Sequence, residues 1–208
     1  MRIIDLSYPI AGGIPVFPGD DGVIIKKNRS LERDGYNYSV VTSGMHAGTH
    51  IDLPGHLVDD CRDAGEFPIE KFIGRGVLID VRGEKVISYK PEYENLIKKD
   101  DIVLIFTDFA SLYSECDVYY TKYPVLDDGI TDFLIRKNIK IVGMDTPAPD
   151  RAPYGLHKKF LKNDITILEN LTNLSSLLGV CCLEISAVPL KIQAEASLVR
   201  AYARIDYD

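Results

Sequence analysis

Eleven residues, His46-Ala47-Gly48-Thr49-His50-Ile51-Asp52-Leu53-Pro54-Gly55-His56, constrain this chain more than any other stretch. They contain three of the four histidines found in 208 residues. His46, His50, Asp52 and His56 all fall at even positions, and even-numbered side chains share one face of an extended chain. On a strand His50 and Asp52 would stand about 6.6 Å apart, close enough to converge on one ion, whereas His46 and His50 would stand about 13 Å apart. The chain must therefore bend between them, and Gly48 permits a bend without a side-chain penalty. A helix would also place positions 46 and 50 on one face. However, Gly48, the β-branched Thr49 and Ile51, and Pro54-Gly55 make a poor helix interior. Nor is this the helical His-Glu-x-x-His zinc motif, since no Glu follows His46. The stretch reads as a strand, a sharp turn and a second short extended piece ending at Pro54-Gly55.

Around it the pattern predicts a mixed α/β domain. Strands are expected over residues 2–6, 22–28 and 36–45, the last delivering the histidine motif. Further strands are expected over 76–81, 101–107, 140–144, 165–169, 180–193 and 197–205. The run Asp101-Ile102-Val103-Leu104-Ile105-Phe106-Thr107 has the continuous apolar character of a strand covered on both faces. Helices are expected over 91–99, 131–137 and 153–162, with a short one over 173–178. Residues 57–63 read as a helix or turn and 68–72 as another short element. The loop Ala11 to Asp20 is rich in turn residues yet carries the apolar Val16 and Phe17, a combination that often lines a pocket. With no repeat, low-complexity segment or linker, residues 1–208 read as one domain.

Composition narrows the function classes. Apolar residues make up 46% of the chain and charged ones 26%, as in soluble globular proteins. A net charge of −7 with no visible basic stripe argues against a nucleic-acid partner. No apolar stretch approaches a membrane span, and Met1-Arg2-Ile3-Ile4-Asp5 places an acid where a signal peptide would begin its apolar run. A cytoplasmic protein is expected. Cys61, Cys116, Cys181 and Cys182 show neither disulfide nor zinc spacing, and Cys181-Cys182 are expected to be small buried residues.

Two distant residues are candidates to join the motif. His157 lies on an expected helix. Glu169 closes the run Ile165-Thr166-Ile167-Leu168, where a buried carboxylate is costly unless it is paired or bound to a metal. A mixed set of imidazoles and carboxylates without thiolate suits zinc first and manganese second, and Asp52 could bridge two ions. A metal with an open position lowers the pKa of bound water to about 7. His56, if not itself a ligand, could then move protons.

The string His46-x-Gly48-Thr49-His50-x-Asp52-x-Pro54-x-His56 resembles the signature of the metal-dependent hydrolase family often called the cyclase family. That family includes bacterial-type arylformamidase (kynurenine formamidase) and isatin hydrolase. Pro15-Val16-Phe17-Pro18-Gly19-Asp20, Val142-Gly143-Met144-Asp145-Thr146-Pro147 and Pro189-Leu190-Lys191-Ile192 agree, as does the order and spacing of His157 and Glu169. The resemblance implies a swivelling β/β/α-type domain assembled as a homodimer or larger homo-oligomer, using one or two Zn²⁺ ions, with Mn²⁺ as the other candidate. It implies that His46, His50 and Asp52 hold one metal, that Asp52, His157 and Glu169 serve a second, and that His56 is the general acid/base. Gln193-Ala194-Glu195-Ala196-Ser197 departs from the family pattern by lacking glycines after the closing segment, which puts the accepted acyl group or ring in doubt.

The expected activity is hydrolysis of a small-molecule amide, with N-formylkynurenine as the first substrate and tryptophan catabolism as the setting. The competing expectations are a cyclic amide hydrolase of the isatin hydrolase kind and a metal-binding protein without catalysis.

Overall fold

The computed structural model describes residues 1–205. Thirteen strands are present among them: β1 (Arg2–Asp5), β2 (Ile24–Arg29), β3 (Tyr38–Thr42), β4 (His50–Asp52), β5 (Ile73–Asp80), β6 (Val86–Ile87), β7 (Ile102–Phe106), β8 (Val125–Leu126), β9 (Ile141–Met144), β10 (Thr166–Glu169), β11 (Leu183–Ser186), β12 (Ala196–Leu198) and β13 (Tyr202–Ile205). The α-helices are α1 (Leu31–Asp34), α2 (Tyr93–Leu96), α3 (Cys116–Tyr119), α4 (Asp128–Lys137) and α5 (Gly155–Lys162). Nine strands form one mixed sheet in the order β1-β13-β11-β5-β7-β9-β10-β4-β12. Its centre, β5-β7-β9-β10, is parallel, and β11 and β4 flank it antiparallel. The expected mixed α/β class with a substantial sheet is what forms.

Alternation along the central strands explains the layering. Val103 and Ile105 of β7 face one side, where they meet Ile130, Phe133 and Leu134 of α4 and Phe160 and Leu161 of α5. Ile102, Leu104 and Phe106 face the other, against Ile51, Leu53, Phe72 and Ile185. Every residue of β7 is buried, as the unbroken apolar run predicts. Full burial of each such Leu or Ile contributes about 1.5–3 kcal/mol.

The last strands close the sheet on itself. β12 lies at one end of the strand order and β13 next to the other end, yet only Val199, Arg200 and Ala201 separate them. So short a link spans at most about 14 Å, so the sheet curls until its two margins approach. The link is stitched to both sides: Val199 N donates to Thr49 O at 3.2 Å, and Leu6 N donates to Ala201 O at 2.9 Å. This crossing is why the strand expected over 197–205 is broken in two. The expected strand 180–193 likewise shortens to β11, and beyond it an isolated bridge pairs Pro189 with Val199.

Three further expectations need correction. The helix over 91–99 is a single turn, α2. The strand over 36–45 ends at Thr42, and residues 43–49 form the turn into β4. Cys181 and Cys182 are exposed, not buried, because they sit in the turn before β11 and not within a strand. The paired strands β2 and β3 stand out from the body as an arm, with all their residues exposed, including Ile24, Ile25, Tyr38 and Val41. No helix among the described residues is long and apolar enough to cross a membrane.

Candidate metal centre and active site

The site forms where the parallel strands β9 and β10 end, the usual ligand position in such sheets. Antiparallel register between β10 and β4 sets Glu169 opposite His50 and Ile167 opposite Asp52. His50 and Asp52 share one face, while Ile51 between them is sealed into the core at 0% exposure. Gly48 makes the required bend: its φ is +60°, and a Cβ there would meet Ile10 Cδ1 at 2.8 Å. The bend carries His46 back over the strand, with its Nδ1 2.8 Å from Asp52 Oδ1. From α5, His157 shares its buried face with Phe160 and Leu161, an i, i+3, i+4 stripe. Its Nε2 lies 3.1 Å from Glu169 Oε1 and 3.8 Å from Asp52 Oδ2.

The residues singled out from the sequence therefore meet. His46, His50 and Asp52 form one donor group, and Asp52, His157 and Glu169 a second, each with its donor atoms within 4.8 Å of one another. Asp52 is common to both. His56 belongs to neither group. It ends the 3₁₀ turn Pro54–His56, half-buried, with its ring 4.3 Å from that of His46 and 6.5 Å from that of His157.

The donor chemistry fits a cation. His50 Nδ1 lies 2.9 Å from the Gly48 carbonyl, which can only accept, so the proton sits there and Nε2 points inward. His50 Nε2 and Asp52 Oδ1 are both buried without a hydrogen-bond partner, 3.4 Å apart. Burial of two unpartnered polar atoms is costly unless an ion satisfies them.

Charge coupling follows from this crowding. Burial opposes the charged form of His50, but Asp52 and Glu169 outweigh it and raise its pKa to about 10. Burial likewise opposes charge on His157, and Asp150 and Glu169 reverse the effect, raising it to about 10. His46 moves up against its burial because of Asp52. Asp52 is driven well below its ordinary value despite burial, by the adjacent imidazoles of His46 and His50. His56 moves the other way: burial, helped by the neighbouring His46 and His157, lowers its pKa and keeps the ring neutral at pH 7.

A cavity of about 410 Å³ opens over these groups, walled by Phe17, Tyr120, Tyr154, Leu57 and Pro147, with Asp20 at its rim. The family profile described as "Putative cyclase" matches residues 4–151. The chain belongs to the cyclase family. Kynurenine formamidase of Bacillus mycoides (strain KBAB4) is 31% identical over 207 residues, spanning 97% of this chain and 96% of the relative. Kynurenine formamidase of Erythrobacter litoralis (strain HTCC2594) is 30% identical over 210 residues, spanning 98% and 94%. Among solved structures, isatin hydrolase A from Labrenzia aggregata bound to benzyl benzoate has a TM-score of 0.86 at 23% identity, covering 99% of this chain and 94% of that one. An isatin hydrolase bound to the product analogue thioisatinate has a TM-score of 0.89 at 18% identity, covering 99% and 93%. These two likenesses concern the fold.

Several residues of this cyclase-family site carry no signal in the sequence. Tyr120 and Tyr154 reach the cavity from α3's C-terminal end and α5's N-terminal end, and lone tyrosines at element ends carry no pattern. Asp150 accepts from Leu156 N at 2.7 Å and holds His157 Nδ1 at 2.6 Å, a role hidden within its proline-containing loop. Asn170 ties the floor together: its Nδ2 donates to Gly48 O at 2.9 Å, and Tyr119 donates to its Oδ1 at 2.9 Å. Phe17 does face the cavity, as its place in an apolar-bearing loop predicts, whereas Val16 faces a neighbouring acidic hollow lined by Asp20, Asp21 and Glu195.

Proposed function

We propose that this chain is a metal-dependent hydrolase of a carbon–nitrogen bond in small-molecule amides, and that an aryl formamide of the N-formylkynurenine type is its first substrate. The single observation that carries the reading is His56: a neutral, half-buried imidazole beside two donor groups but outside both. Full-length similarity to kynurenine formamidases supports the choice of formamide. His46, His50 and Asp52 would hold one ion and Asp52, His157 and Glu169 a second where present. Zn²⁺ is favoured by the three imidazoles and the lack of thiolate, with Mn²⁺ the other candidate. A bound ion would supply Lewis acidity and lower the pKa of water at the site.

The chain's own groups do the rest. Phe17, Tyr120 and Tyr154 form apolar walls that hold an aromatic ring and thin the water around it. His56, neutral in the resting site, takes up a proton as water is consumed and returns it to the departing aryl amine nitrogen. Residues 1–208 act as one domain, in a homo-oligomer, in the cytoplasm, with tryptophan catabolism as the setting.

The test is formate release from N-formylkynurenine by metal-loaded protein, with His56→Ala as the control. Loss of general acid–base catalysis should lower kcat about 10²–10⁴-fold while metal content stays the same. Equal activity of the two proteins, or none in either, would sink the proposal for this substrate. A parallel panel of cyclic amides, read by product mass, reports whether ring opening is the reaction.

A further inference from the structure

Each imidazole of the two donor groups is gripped on the side facing away from the carboxylates, and one of these grips comes from a residue the reaction above does not use. His50 is held at Nδ1 by the Gly48 carbonyl at 2.9 Å, and His157 at Nδ1 by Asp150 Oδ1 at 2.6 Å. Both therefore present Nε2 to Asp52 and Glu169. His46 is turned the other way round. Its Nδ1 lies 2.8 Å from Asp52 Oδ1, and its Nε2 lies 3.4 Å from Glu195 Oε1.

Glu195 is not there by the chance of a loose loop. Leu53 N donates to the Glu195 carbonyl at 3.0 Å, and Ala64 N donates to the Ala194 carbonyl at 2.9 Å. The next residue, Ala196, pairs with Asp52 in the β12–β4 ladder. The backbone that carries Glu195 is thus bolted to the strand that carries the donors. Its side chain is about half-exposed, at 46%, so water competes for it, yet it reaches toward the ring.

We infer that Glu195 is the positioning residue for His46: it takes the Nε2 proton, fixes the tautomer and turns the Nδ1 lone pair toward Asp52. His46 then coordinates through Nδ1, whereas His50 and His157 coordinate through Nε2. A carboxylate behind a ligating histidine both orients the ring and raises its basicity. The inference rests on the metal reading of the site, but not on which amide is cleaved.

The experiment measures Zn²⁺ affinity by chelator competition, and the visible absorption spectrum of the Co²⁺-loaded form, for the wild type, Glu195→Ala and Glu195→Gln. Loss of such an outer partner costs about 10–100-fold in metal affinity, and that is the expected loss for Glu195→Ala, with the number of ions per chain unchanged and the cobalt bands shifted. Glu195→Gln, whose amide oxygen still accepts from Nε2–H, should recover most of the affinity and the wild-type spectrum. Melting temperatures of the metal-free proteins should stay close, since the carboxylate is about half-exposed. Wild-type affinity and spectrum in Glu195→Ala would overturn the inference alone. Loss of a whole ion in both variants would make Glu195 a ligand, and a Gln variant no better than Ala would assign the effect to charge; either also overturns it. A wild type that binds neither metal removes the metal reading and this inference together.

Discussion

Four imidazoles share one cavity, yet they ionise in opposite senses, and the difference lies in what each faces. His46, His50 and His157 look onto Asp52 and Glu169, so carboxylates stabilise their protonated forms. His56 feels those carboxylates only at a distance, so burial prevails, aided by His46 and His157, and keeps the ring neutral. An arriving cation must therefore displace protons from His50 and His157, whose pKa values lie at about 10. Titrating Zn²⁺ into metal-free protein at pH 7.5, in buffers of different ionisation enthalpy, should show release of about one proton or more per ion; identical heats in all buffers would contradict the donor assignment. Asp145 gives a second prediction away from the cations. It is fully buried, accepts from Thr107 N and Oγ1, and leaves Oδ2 without a partner. Burial raises its pKa from 3.8 to about 6. The folded state thus binds this proton more tightly than the unfolded chain, and the stability it contributes below pH 4 is lost as pH rises to 6. Relative to Asp145→Asn, the wild type should lose on the order of 3 kcal/mol between pH 4 and pH 7 in urea unfolding. A constant difference across that range would refute the assignment.

At the scale of elements, the bend at Gly48 decides whether His46 joins the site. Gly48→Ala places a side chain in the left-handed region, at a cost of about 1–2 kcal/mol, and pushes on Ile10. At about 2–4 °C per kcal/mol for a domain of this size, the melting temperature should fall by several degrees. Metal affinity should fall further than stability does, because the displaced residue, His46, is a proposed donor; a variant that binds metal normally would show that the turn is incidental. This bend was legible in the sequence, since the spacing of His46, His50 and Asp52 cannot be met by a straight strand. His157 and Glu169 were legible only as candidates: what unites them with the motif is the β10–β4 register, and strand pairing leaves no local pattern. Glu195 and Asp150 were invisible as site residues for the same reason, each being placed by loop backbone anchored to a distant element. The buried-looking Cys181-Cys182 pair misled because apolar character alone does not say whether a segment lies in a strand or in the turn before it.

At the scale of the whole molecule, the arm β2–β3 stands apart from the sheet. A two-stranded ribbon is marginal without support, and this one exposes Ile25, Val41, Tyr38 and Ile24 together with Lys26, Lys27 and Arg29 on a chain of net charge −7. If the proposed homo-oligomer uses this arm, an Ile25→Glu/Val41→Glu variant should run at the 23.2 kDa of one chain in light scattering, while the wild type runs at twice that or more. A variant that keeps the wild-type mass would place the contact elsewhere. Strand β4 is three residues long, clamped between β10 and β12, with Ile51 turned inward and its two neighbours turned to the cavity. A slip of one residue in either ladder would exchange those faces, burying imidazole and carboxylate in oil and offering an isoleucine to the ion. Binding of the proposed ion is thus a readout of correct zippering. A chain that mispairs has nothing with which to hold the ion, so loading draws the population toward the properly zipped form.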